Sequence, residues 1–151
     1  MSNTCYNGDV GEMIVATELI KNNVDVCKSL MNNKIYDYII VSNNGYGKPH
    51  KIQIKSSTKF DGNVVTFTLK TTRLIRGKWI YKTYKEGDVD FLLCVNNITG
   101  DIFLLEPSQF IGKTTFSIRY TPSSSTNKSC SNYYKDYILC NNIHKINTSL
   151  V

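Results

Sequence analysis

The stretch Tyr36–Ser57, YDYIIVSNNGYGKPHKIQIKSS, reads as two strands joined by a loop. Tyr36–Ser42 is a run of β-branched and aromatic residues, and Lys51–Ser56 is a second strand. Between them Gly45, Gly47 and Pro49 punctuate a turn region. Side chains alternate along a strand, so Gln53 and Lys55 share one face and Ile52 and Ile54 the other. Asp37 opens the first strand. Antiparallel pairing across the loop brings Asp37 close to Gln53 and Lys55. A carboxylate, an amide oxygen and an ammonium are the groups that metal-assisted phosphodiester hydrolysis uses.

These residues resemble the core of the PD-(D/E)XK nuclease superfamily, whose pattern is an acid, a hairpin and then acid-x-Lys. Here the pattern reads Asp37, then Gln53-Ile54-Lys55. Tyr36 stands where the family has Pro. Gln53 stands where it has the second acid, which removes a charged ligand. The QxK form is found in active members, among them small phage-type or intron-encoded homing endonucleases, and the chain is similar to these in length and layout.

The resemblance implies an α/β (α+β) fold. A central mixed β-sheet carries the N-terminal helix, in a single restriction-endonuclease-like domain over 1–151, with its core at about 8–106. It implies a Mg²⁺-dependent, site-specific endonuclease acting on double-stranded DNA, with Mn²⁺ as a possible substitute. Asp37, the Gln53 side-chain oxygen, the Ile54 main-chain carbonyl and Glu12 would hold the metal. Lys55 would sit beside the attacking water. Ser56 and Ser57 follow Lys55 and are placed to contact phosphate. A four-way-junction resolvase shares this core. A DNA-binding relative without catalysis is the other alternative, and Gln53 is its best support. The blandest reading is a structural protein with a polar hairpin.

Upstream, Asp9 to about Asn22 reads as a helix, with Asp9-x-x-Glu12 spaced as a capping box. At about 100° per residue, Met13, Ala16, Leu19 and Ile20 form one apolar arc, with Gly11, Glu18 and Asn22 opposite. Glu12 falls within that arc, where a carboxylate is costly unless paired or metal-linked. Gly11-Glu12-Met13-Ile14-Val15-Ala16 matches the family's G-E-x-x-V-A, whose acid completes the site. The competing reading is that Glu12 only closes the helix cap. Val24–Cys27 is a short strand.

Downstream, Val64–Leu69 is a further strand. Lys70–Lys85 then changes character: Lys70, Arg73, Arg76, Lys78, Lys82 and Lys85 are interleaved with Trp79, Tyr81 and Tyr84, without an acid. Cations mixed with aromatics suit phosphate contact and packing on sugar or base, so Lys70, Arg73, Arg76 and Lys78 are candidate DNA-binding residues. The alternative is a solvated, irregular excursion. Phe91–Asn96, the turn Thr99-Gly100-Asp101 and Ile102–Leu105 form a hairpin that Pro107 stops. Tyr84-Lys85-Glu86-Gly87-Asp88-Val89-Asp90-Phe91 is similar to a Y-x-x-G-D-x-D-F run of the same family. That match extends the resemblance over roughly 8–120. Asp88 and Asp90 are given structural roles. Residues 107–151 form a C-terminal strand, loop and tail. Within them Thr115–Arg119 is a strand candidate, Thr121–Ser131 an exposed loop, and Tyr133–Cys140 a helix or a strand.

With 151 residues, 41% of them hydrophobic, the chain can bury one core. Its net charge of +6 suits a polyanionic partner. No apolar run is long enough to span a bilayer, and the N-terminus lacks signal-peptide character. The five cysteines are scattered without a C-x-x-C pair. That argues against structural zinc and for reduced thiols in an intracellular protein, cytoplasmic or nucleoid-associated. Cutting both strands with one site per chain requires at least two chains, so a homodimer or homotetramer is expected.

Overall fold

The computed structural model describes residues 3–31, 35–122 and 132–147. In chain order, α1 (Asn3–Lys21) is followed by β1 (Asp25–Lys28), β2 (Tyr38–Val41) and a single turn, α2 (Ser42–Gly45). Then come β3 (Pro49–Ser57), β4 (Val64–Thr68), β5 (Thr71–Ile75), β6 (Lys78–Lys82), β7 (Phe91–Asn96) and β8 (Ile102–Leu105). The described chain closes with α3 (Pro107–Phe110), β9 (Thr115–Arg119), α4 (Tyr134–Tyr137) and α5 (Leu139–Asn147).

β3 is the spine. A five-stranded sheet runs β1-β2-β3-β7-β8. β2 pairs antiparallel with β3, Tyr38 opposite Ile52, and β7 pairs parallel with it, Ile52 opposite Phe91. The sheet is therefore mixed. The tight return from β2 to β3 passes through Asn43, Asn44 and Gly45, which have φ of 53°, 53° and 84°. Asn and Gly are the residues that tolerate this left-handed backbone.

Side-chain alternation sends Ile52 and Ile54 to one face of the sheet. There they pack with Val15 and Leu19 of α1 and with Leu139 and Ile146 of α5. The opposite face buries Leu92, Cys94, Phe103 and Leu105 against Val65, Phe67, Phe116 and Ile118, the inner residues of the β4–β9 sheet. The order is helices, central sheet, small sheet. Among the described residues no helix is long and apolar enough to cross a membrane.

Two sequence expectations are corrected, and two readings left open are resolved. α1 begins at Asn3, so Asp9 lies inside the helix and does not cap it. The extra turns are held from outside, where Asn97 Nδ2 donates to the Asn7 carbonyl at 2.8 Å. The buried stripe of α1 is Gly11, Val15 and Leu19, whereas Met13 and Ile20 are 70% and 62% exposed. Steric fit sets this rotation. A methyl at Gly11 would overlap the Ser56 hydroxyl, so glycine lets the helix settle directly on β3. Lys70–Lys85 is no irregular excursion, because most of it folds into the β5–β6 hairpin. Tyr133–Cys140 divides between the turn α4, an isolated bridge from Ile138 to Phe103, and the start of α5. The loop expected at Thr121–Ser131 falls largely outside the described residues. Asp88 and Asp90 have the expected structural roles, accepting the main-chain N–H of Lys85 (2.9 Å) and of Lys51 (2.7 Å).

Candidate active site

The pairing of β2 with β3 ends at Asp37, whose N–H donates to the Ile52 carbonyl at 2.8 Å. Beyond that point β3 has no strand partner on this side among the described residues, and its edge is open. Asp37 turns its side chain along the edge. Its Oδ2 accepts the Ile54 N–H at 2.7 Å and Gln53 Nε2 at 2.8 Å. In a strand the N–H and C=O of one residue point the same way. The Ile54 carbonyl therefore faces the open edge beside Asp37. Both bonds fall on Oδ2, so Oδ1 remains for another partner.

This edge forms one wall of a cleft of about 490 Å³. Glu12, Asp37, Gln53, Ile54, Lys55, Ser56 and Ser57 all line it, with the first turns of α1 opposite. The hairpin and the first helix thus bring together all the expected catalytic residues. Glu12 arrives because Gly11 seats α1 on Ser56. Its Oε2 lies 2.9 Å from Lys28 Nζ and 3.5 Å from the Tyr38 hydroxyl. Lys28 and Tyr38 are cross-strand partners, so β1 and β2 together hold this acid. Glu12 is paired, and does not act as a cap.

Lys55 shares the Gln53 face, and its ammonium lies 5.6 Å from the centroid of the buried Tyr84 ring. Burial pulls the Lys55 ammonium below its ordinary pKa, and the Asp37 charge opposes the fall. Burial likewise pushes the Asp37 carboxyl up. The Ile54 N–H, Lys55 and Gln53 hold it down, and Glu12 adds to the rise. The two buried charges therefore sustain one another, while a third stands close by.

The donors are two carboxylates, a main-chain carbonyl and an amide oxygen, a set that suits a hard divalent cation. Among the described residues no cluster of three or more His, Cys, Asp and Glu side chains could hold a metal ion. An ion in the cleft would rely on Ile54 and Gln53 to complete its oxygens.

The remaining expected contacts divide. Ser56 lines the cleft beneath Gly11. Ser57 is buried, its hydroxyl donating to the Thr66 carbonyl at 2.6 Å and accepting the Lys59 N–H at 3.0 Å. That commitment replaces the phosphate contact expected of the Ser57 side chain. Lys70, Arg76 and Lys78 do not line the cleft. They lie on or beside the hairpin, Arg76 at its tip, and Arg73 takes the register position opposite Ile80. Sequence reasoning missed Lys59, which also lines the cleft, and Lys28 and Tyr38, which hold Glu12. None lies in a motif, and only the register of β1 on β2 shows the last two to be neighbours.

An edge carboxylate, an x-Lys strand and a helix-borne acid on a mixed sheet define a restriction-type nuclease core. The comparisons agree. A family model described as PD-(D/E)XK endonuclease matches residues 2–140. The chain belongs to that family. It shares its fold with the solved structure of a bacterial homing endonuclease, I-Ssp6803I, at a TM-score of 0.71 and 21% identity, over 95% of this chain and 93% of that one. No curated protein matches.

Proposed function

We propose that the chain is a Mg²⁺-dependent, homing-type endonuclease that cuts duplex DNA inside the cell, working as one nuclease domain in a homodimer or homotetramer. The observation that carries this reading is Asp37 locked onto the Ile54 N–H at the open edge of β3, with Gln53 and Lys55 beside it.

Asp37, the Ile54 carbonyl, Gln53 Oε1 and Glu12 would hold the ion, and Mn²⁺ would fit the same oxygens. When bound, a divalent cation would supply a lowered water pKa and would offset charge on the scissile phosphate. Lys55 presents its ammonium to the same phosphate and stabilises the charge that builds in the transition state. It would also hold the attacking water beside the phosphate. The partly buried setting strengthens these contacts relative to bulk water.

Likeness in fold to a homing endonuclease favours a linear duplex over a branched substrate. Offering a long duplex pool and a generic four-way junction side by side with Mg²⁺ tests this. The duplex should be cut and the junction left mostly intact. Preferential junction cleavage would make the chain a resolvase.

A further inference from the structure

The β5–β6 hairpin belongs to neither hydrophobic core. Leu74, Ile75, Trp79, Ile80 and Tyr81 are all exposed, between 39% and 62%. A two-stranded hairpin alone in water is marginal, so this one is shaped for a partner. Its register pairs Thr71 with Lys82, Arg73 with Ile80 and Ile75 with Lys78, alternating with Thr72–Tyr81 and Leu74–Trp79. Alternation therefore sorts the ribbon into two faces. One carries Leu74, Trp79 and Tyr81, with the Lys70 ammonium 4.4 Å from the Tyr81 ring centroid. The other face carries Lys78 and Lys82 among Thr71, Ile75 and Ile80.

The tip is a two-residue turn in which Arg76 and Gly77 have φ of 50° and 73°. Arginine at a left-handed position costs backbone energy that Gly or Asn would avoid. In exchange the ribbon ends in a cation. One root lines the catalytic cleft and the other lies beside its lysine. Thr68, three residues before β5, lines it, and Tyr84, two residues after β6, lies under Lys55.

We infer that the β5–β6 ribbon is the sequence-reading element of this nuclease, entering the major groove of duplex DNA with its Lys78–Lys82 face. The inference rests on the DNA-cutting function proposed above and names the surface that selects the substrate. A groove about 12 Å wide admits a two-stranded ribbon, and five residues per strand reach roughly 17 Å along it. Lysine donates to guanine O6 and N7, and the flanking isoleucines suit thymine methyls. Charge decides between DNA and a second copy of the chain. Lys70–Lys85 holds six cations and no acid, and a second copy of a +6 chain brings like charge to it.

The test uses binding, so that it stands apart from cleavage. The non-cutting Asp37→Asn protein is used to select bound duplexes from a randomised pool, with and without Lys78→Ala and Lys82→Ala. The parent should enrich a motif, and the ribbon variant should lose about tenfold to a hundredfold affinity for it while retaining weak binding to any duplex. Methylation of guanine N7 within the motif should block the parent. Arg76→Gly should relax the turn yet weaken binding, which a merely structural tip would not do. If the ribbon variant enriches the same motif, or adenine N3 methylation alone interferes, the inference fails and the nuclease function stands. A change in oligomeric state with an unchanged motif would make the ribbon an interface between copies, and also overturns it. If the wild type neither binds nor cuts DNA, the nuclease function itself fails.

Discussion

The Ile54 N–H donates to Asp37 Oδ2 at 2.7 Å, and this bond ties the first acid of the site to the strand that bears the lysine. It stands where a further β2–β3 ladder bond would otherwise form. The sheet thus gives up one backbone pair to fix a carboxylate at an open edge, next to a carbonyl that points the same way.

Gly11 and Ser56 set the distance between helix and strand. Gly11→Ala should destabilise the fold by about 1–3 kcal/mol, since the methyl must displace packed atoms. Ser56→Ala in the same chain should recover part of the loss, because the hydroxyl is the nearest obstacle. Denaturant midpoints of the two single variants and the double variant measure the coupling. Strict additivity would show that the contact does not set the helix position.

Gln53 shares its amide N–H with Asp37, so Gln53→Glu places oxygen against oxygen. Without metal the variant should lose about 1–3 kcal/mol, the cost of a buried polar bond turned repulsive. Mg²⁺ or Mn²⁺ should raise its melting temperature more than that of the wild type, and some cleavage should remain with an altered metal preference. A thermal shift with Mg²⁺ no larger than the wild type's would place Gln53 outside the ligand set.

Lys28 holds Glu12 from the solvent side and is 68% exposed. Lys28→Met should change stability by less than about 1 kcal/mol. Removing its charge should also lower the Mg²⁺ concentration for half-maximal cleavage, by roughly twofold to tenfold. The maximal rate should change less. An unchanged metal requirement would mean that Glu12 does not face the ion.

Much of the site was legible in the sequence because strand alternation and a short return fix it. Period two and the turn region of Gly45, Gly47 and Pro49 predict that Asp37 and Gln53 meet, and they do, at 2.8 Å. The Gly-Glu setting placed Glu12 near the hairpin, and it does line the cleft, yet the buried helix face was not legible. Hydropathy favoured Met13 and Ile20, whereas steric fit at Gly11 chose the other side. The cations of Lys70–Lys85 were legible but the strands of the β5–β6 ribbon were not, because Arg76-Gly77 is not a customary turn pair and the cations masked the alternation. The tail escaped for a related reason. The run Leu139–Asn147 buries Leu139, Asn142 and Ile146, and a face with a polar residue at its middle is hard to read without the sheet beside it.

Lys55 carries a pH signature. Its pKa is lowered in the fold, so the unfolded chain binds its proton more tightly, and burying the ammonium costs stability at neutral pH. Lys55→Met should therefore raise the melting temperature, by roughly 2–4 °C per 1 kcal/mol relieved. The gain should be full below the folded-state pKa and fade as pH climbs from there to the unfolded value near about 10.4. A loss of stability at neutral pH would show that the lysine is held for packing.

The most direct measurement is the rate at which the purified chain cuts duplex DNA with Mg²⁺, compared with Lys55→Ala and with Asp37→Asn. The wild type should cut. Each variant should be slower by about 10²–10³-fold or more, as loss of a transition-state contact requires. Both should still bind DNA, Asp37→Asn a little more tightly because a carboxylate facing phosphate is repulsive. Cleavage that Lys55→Ala leaves at the wild-type rate would contradict the assignment of the cleft between α1 and β3 as the active site.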